Sequence, residues 1–228
     1  MPVFASYTRQ RQPRQSYVAW VLLGALLATL ASANPLGITD KILDAIAMEY
    51  GRRARGRILA WQHLVESSSQ HSERDKLTRV NDFFNQVQFV SDQAHWQKID
   101  YWATPIELLA TQGGDCEDFA IAKYITLRAL DVPDEKLRIT YVKALELNQA
   151  HMVLTFYETP GAMPEVLDNL DPAIKPADQR PDLQPVYSFN GNGLWLAKMR
   201  GEGQKLGSAN DLNMWRDLVA RLNRERNS

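Results

Sequence analysis

The apolar residues of this 228-residue chain change their spacing once, and that change limits the fold more than any other feature. Up to about residue 130 they recur every three or four positions, as one face of a helix requires. From residue 137 they alternate, as a strand requires. Ile42, Ile46 and Tyr50 follow a Thr39-Asp40 cap, and the Gly51-Arg52-Arg53-Ala54-Arg55-Gly56 patch is expected to break that helix before Ile58, Trp61, Leu64 and Val65 form the next. The four arginines of residues 52–57 read as a solvated face or as a docking surface for an acidic partner. After a polar loop over 67–75, helical spacing returns over 76–90 through Leu77, Val80, Phe83, Phe84 and Val87. Thr104-Pro105-Ile106-Glu107 has threonine at the cap, proline at the first helical position and glutamate placed to close a capping box.

Strands are expected over 137–147, 151–157 and 166–169, with a hairpin of 186–189 and 194–199 about Asn190-Gly191. The proline-rich stretch 171–185 reads as an ordered surface loop, and a helix over 208–224 turns Leu212, Trp215, Val219 and Leu222 inward. Helices before strands imply an α+β fold, with a mainly antiparallel sheet carrying the helix that starts at residue 116.

Residues 1–33 read as an export signal rather than as part of that fold. Arg9, Arg11 and Arg14 make an acid-free basic region, an apolar run covers 17–30, and Ala31-Ser32-Ala33 is a cleavage signal, leaving one domain over 34–228. The run is too short for a spanning helix. Without those three arginines, the 26 basic and 27 acidic residues leave a mature net charge of −4, and no basic stripe suits a nucleic acid. Export also makes the single cysteine, Cys116, unusual. It has no internal disulfide partner, and a free thiol in an oxidising compartment is a liability unless buried or used.

Cys116 sits in Gly113-Gly114-Asp115-Cys116-Glu117-Asp118-Phe119, where the glycine pair permits a tight entry and Asp115 can cap a helix. Free N–H groups at a helix start favour the thiolate, the nucleophilic form. The neighbouring acids oppose it, because they disfavour another negative charge. A histidine ion pair, a cation held by the acids, or both must offset them; otherwise Cys116 is an inert core residue. Of His63, His71, His95 and His151, only His151 opens a strand after the cysteine helix, where a rigid scaffold can aim the ring at the thiol. Asp168, one turn further on, is placed to orient that ring, or else is a plain turn acid.

These segments, with Asp100-Tyr101-Trp102-Ala103-Thr104-Pro105, Ala150-His151-Met152-Val153-Leu154 and Val166-Leu167-Asp168-Asn169-Leu170, resemble the bacterial transglutaminase-like cysteine proteases of the periplasmic LapG type. The resemblance implies a papain-like α+β fold, a Cys116-His151-Asp168 triad and a calcium ion beside the nucleophile. Asp115, Glu117 and Asp118 offer the hard oxygen ligands that calcium prefers. It also implies cleavage of the N-terminal region of a large surface adhesin after a pair of alanines, which disperses biofilm. Control would come from an inner-membrane receptor that senses cyclic di-GMP inside the cell and captures the protease outside. Gln112 and Trp102 are candidates for a second oxyanion donor. The same triad also suits a transglutaminase or a peptidoglycan peptidase, and the acids alone suit a non-catalytic calcium-dependent binding module.

Overall fold

The computed structural model describes residues 34–197 and 203–227. The expected export signal therefore lies outside the described residues, as does the end of the expected second hairpin strand. Seven α-helices are described: α1 (Asp40–Tyr50), α2 (Arg52–Ser68), α3 (Glu73–Phe84), α4 (Asp92–His95), α5 (Pro105–Thr111), α6 (Cys116–Ala129) and α7 (Asn213–Asn227). The strands are β1 (Gln88–Phe89), β2 (Gly113–Gly114), β3 (Leu137–Ala144), β4 (Gln149–Phe156), β5 (Glu165–Leu167), β6 (Lys175–Pro176), β7 (Leu183–Asn190), β8 (Gly193–Leu196) and β9 (Gln204–Gly207). The main sheet runs β6-β5-β4-β3-β7-β8-β9 with every neighbouring pair antiparallel; β1 and β2 make a separate short parallel pair. No described helix is long and apolar enough to cross a membrane.

Helix α6 is the centre of the molecule. Phe119, Ala120, Ile121, Ala122, Tyr124 and Leu127 are all buried, so the helix is enclosed on every side rather than lying on a surface. Met152, Leu154 and Phe156 of β4, Ile139 of β3 and Phe189 of β7 share its core with Trp61, Leu77 and Phe84 of α2 and α3. The capping box at Thr104 forms as its sequence predicts, with the Thr104 hydroxyl accepting from the Glu107 N–H and the Glu107 carboxylate from the Thr104 N–H.

Four local expectations are corrected. Gly51 alone, at φ 88°, separates the first two helices; residues 52–56 are helical. Arg57 is not simply solvated, for it donates to the Leu109 and Ala110 carbonyls at 2.5 and 2.6 Å and so satisfies the end of α5. The stretch 171–185 contains β6 and the start of β7, because proline can occupy positions whose N–H the ladder does not use. At the glycine pair the left-handed residue is Gln112, at φ 61°. Gly114 is needed for space instead: a Cβ there would lie 2.5 Å from Asp118 Oδ2 and 2.6 Å from Leu108 Cδ1.

Gly114→Ala is therefore expected to destabilise the fold by about 1–3 kcal/mol through overpacking. Gly56→Ala, in open space within α2, is expected to stabilise it by about 0.5–1 kcal/mol. Urea unfolding of both variants checks this pair, and equal effects of the same sign would refute it.

Candidate active site

Cys116 begins α6 with Asp115 as its cap, at one side of a cleft of about 600 Å³. His151 and Met152 of β4, Trp102, Tyr141 and Tyr187 line the same cleft, while Phe89, Ile99 and Leu170 form apolar parts of its rim. Tyr141 and Tyr187 stack face to face, with centroids 5.0 Å apart.

Strand register brings the histidine and aspartate together. Leu154 pairs with Leu167, so Asp168, one residue past β5, lies beside Val153 and diagonal to His151 on the same face. His151 Nε2 lies 2.8 Å from Asp168 Oδ1, with both side chains almost fully buried. Burial by itself would raise the Asp168 pKa. Hydrogen bonds from His151, the Leu170 N–H and Arg180 reverse that and hold it at about 2. An ionised carboxylate only accepts, so Nε2 carries the proton and Nδ1 is left for the thiol. Arg180 donates to Asp168 Oδ2 at 2.8 Å and to Asp182 at 2.8 Å.

Acids dominate the other side. The Cys116 thiol donates to Glu117 Oε2 at 3.1 Å, and its pKa is pushed strongly up by burial, by the Glu117 charge and hydrogen bond, and by Asp115. Burial, then the charge of Asp115, also raises Asp92 to about 6. Asp115 and Glu117 are both raised, each chiefly by burial. Asp118 is fully buried and raised well above its usual range by burial and the Asp115 charge, although its oxygens accept from the Ala103 N–H at 2.7 Å and the Asp115 N–H at 3.2 Å. Donor atoms of Asp92, Asp100 and Glu117 lie within 4.8 Å of one another, as do those of Asp115, Cys116 and Glu117, and those of Asp92, Asp115 and Asp118. Asp92 Oδ1 and Asp115 Oδ1 are buried with no hydrogen-bond partner.

A family model described as bacterial transglutaminase-like cysteine proteinase BTLCP matches residues 57–183. Legionella pneumophila LapG is 46% identical; its EGTA-treated structure superposes with a TM-score of 0.71, covering 80% of this chain and 96% of that one. The chain belongs to the bacterial transglutaminase-like cysteine proteinases. The calcium-bound structure of the same Legionella protein, also 46% identical, gives a TM-score of 0.69 over 81% of this chain and 99% of that one. Comparison with curated proteins gives no match.

In this transglutaminase-like proteinase, Cys116 and His151 meet at one cleft, Asp168 reaches His151, and Asp115 and Glu117 stand beside the thiol. Asp118 is nearby but committed to backbone N–H groups. Trp102 lines the cleft, stacked on Phe189. Gln112 is turned away, its amide donating to the Gln86 carbonyl at 3.4 Å, because its left-handed backbone ends α5. Sequence reading missed Arg180, hidden in a proline-rich stretch, and Asp92, which no local signal set apart. Asp100 was visible as part of a motif, but nothing local marked it as neighbouring Glu117.

The raised acids and Asp168 act on stability in opposite senses. Without a cation, the folded chain keeps protons on Asp92 and Glu117 that the unfolded chain releases. Their contribution is complete below the ordinary carboxylate range and is lost as pH rises through about 6 and beyond. The contribution of Asp168 is present above its ordinary value and is lost as pH falls toward about 2. Chelated protein should therefore have its highest unfolding midpoint near about pH 4–5 and a declining one toward about pH 8. Glu117→Gln should flatten the decline. A midpoint that climbs from pH 5 to 8 in chelator contradicts this account.

Proposed function

We propose that this proteinase is a calcium-dependent periplasmic endopeptidase that cuts the N-terminal region of a large surface adhesin at a pair of alanines. Release of the adhesin disperses biofilm, and an inner-membrane receptor that senses cyclic di-GMP restrains the enzyme through its periplasmic domain. The observation that carries the catalytic reading is the ordered pair His151–Asp168 opening onto the cleft that holds the chain's single thiol. The buried, unpartnered oxygens of Asp92 and Asp115 support the calcium reading, and an all-carboxylate donor set suits that ion. The calcium-bound Legionella relative supports it too.

Asp92, Asp100, Asp115 and Glu117 would hold the ion, with Asp118 fixing the backbone around them. When bound, calcium supplies positive charge that offsets the carboxylates beside the thiol. His151 Nδ1 takes the proton from Cys116 Sγ, and the thiolate attacks the scissile carbonyl. The Cys116 N–H, free at the first position of α6, donates to the oxyanion. Asp168, kept ionised by its hydrogen bonds from His151, the Leu170 N–H and Arg180, stabilises the imidazolium. His151 then gives its proton to the leaving amine. Water, deprotonated by the same ring, hydrolyses the thioester and regenerates the thiol.

Cys116→Ala and His151→Ala are expected to lower cleavage of an adhesin N-terminal fragment by at least about 10³-fold, with Asp168→Asn also strongly impaired. Product mass reads the chemistry: addition of water supports the peptidase, whereas ammonia loss with cross-linking identifies a transglutaminase. Undiminished cleavage by folded Cys116→Ala protein would overturn the catalytic reading.

Chelation should abolish cleavage and added calcium restore it, while the receptor's periplasmic domain should suppress it in a dose-dependent way. Activity indifferent to chelator removes the ion from the mechanism and leaves the triad standing.

A further inference from the structure

We propose that Lys123 is a positioning residue for the peptidase reaction: from the helix that Cys116 begins, it grips the backbone carbonyl of Asp168 and so sets where the His151–Asp168 pair stands relative to the thiol. The inference rests on the catalytic reading above.

Asp168 lies one residue beyond the last paired position of β5, Leu167, so the β4–β5 ladder does not hold its backbone. Side chains from α6 and from Asn85, the residue that caps α3, hold it instead. Lys123 Nζ donates to the Asp168 carbonyl at 3.1 Å and to Asn81 Oδ1 at 2.9 Å. Asn85 Nδ2 donates to the same carbonyl at 2.9 Å, and Asn81 Nδ2 donates to the Pro172 carbonyl at 2.8 Å. The clamp thus spans the turn after Asp168, and its Lys123 arm is anchored on α6.

The spacing is what makes the clamp relevant to chemistry. Lys123 follows Cys116 by seven residues, about two helical turns, so nucleophile and clamp occupy nearly the same face of one rigid rod. Helix α6 presents the thiol at its start and fixes the aspartate that orients the base farther along. Lys123 is fully buried. Burying the Lys123 amine costs folding free energy that an apolar side chain of similar length avoids, and that burial lowers its pKa to about 7. Its return is the geometry of Asp168. Lys123 is not among the residues lining the cleft, so it acts on the catalytic pair without touching substrate.

The test compares Lys123→Met, Lys123→Gln and Asn85→Ala with wild type in calcium, after checking folding. It reads kcat, KM and the rate of Cys116 alkylation by iodoacetamide across pH. Loss of the clamp in Lys123→Met should lower kcat about tenfold or more with KM within about twofold. Alkylation near neutral pH should slow in parallel. Lys123→Gln, which keeps a donor, should recover part of both rates; Asn85→Ala, which leaves Lys123 in place, should show a smaller loss of the same kind. Folded Lys123→Met protein with wild-type kcat and alkylation overturns the proposal, even if its unfolding temperature drops. Should that variant fail to fold, wild-type rates in both Lys123→Gln and Asn85→Ala overturn it equally. A wild-type protein that does not cleave, or Cys116→Ala protein that does, counts against the proposed function; the alkylation rates still decide the clamp.

Discussion

Burial of several carboxylates around one thiol is the constraint on which the rest of this structure depends. Asp92, Asp115, Glu117 and Asp118 converge on the start of α6, where free N–H groups would otherwise favour a thiolate. Burial first, and neighbouring negative charge second, raise these acids and push the thiol away from ionisation. Such an arrangement is poor design for a metal-free thiol and a reasonable one for a thiol beside a hard cation. The scaffold is built to keep it in place. Arg221 of α7 donates to the Trp102 carbonyl and, at 2.5 Å, to Glu107, while Asp118 holds the Ala103 N–H. The segment bearing Asp100 is thereby fastened next to it.

The opposite wall of the cleft solves a different problem. A histidine base needs one nitrogen fixed and the other free. Asp168 fixes Nε2 because the hydrogen bond from His151 itself, then those from the Leu170 N–H and Arg180, keep the carboxylate ionised despite burial. The pairing of Leu154 with Leu167 sets the lateral position of that contact, and the side chains of Lys123 and Asn85 set what the ladder does not. Two charged systems, one anionic and one balanced, therefore face each other across a cleft whose remaining surface is largely aromatic and apolar.

Much of this was readable before any coordinates. Thr104, Pro105 and Glu107 announced a capped helix, and the alternation from His151 to Phe156 announced β4, because both signals depend on neighbours in sequence. Misreadings came where a packing partner overrode the cue read from residue type alone. Glycine at 114 suggested backbone freedom, yet the neighbouring Asp118 and Leu108 side chains are what exclude a larger residue. The arginine patch suggested solvent, yet Arg57 ends a helix more than fifty residues away in sequence.

The sequence by itself determined the order of the longer helices and of strands β3, β4, β5, β7 and β8, the helix start that carries the only cysteine, and the residue types from which a catalytic group could be assembled. Those follow from periodicity, capping and composition, which are local. Only the tertiary structure decided that Arg180 completes the Asp168 environment, that Asp92 and Asp100 join the acids beside Cys116, and that Lys123 reaches back to the Asp168 carbonyl. Each of these is a contact between segments far apart along the chain. It exists because burial removes water as an alternative partner, so that charged groups must find one another.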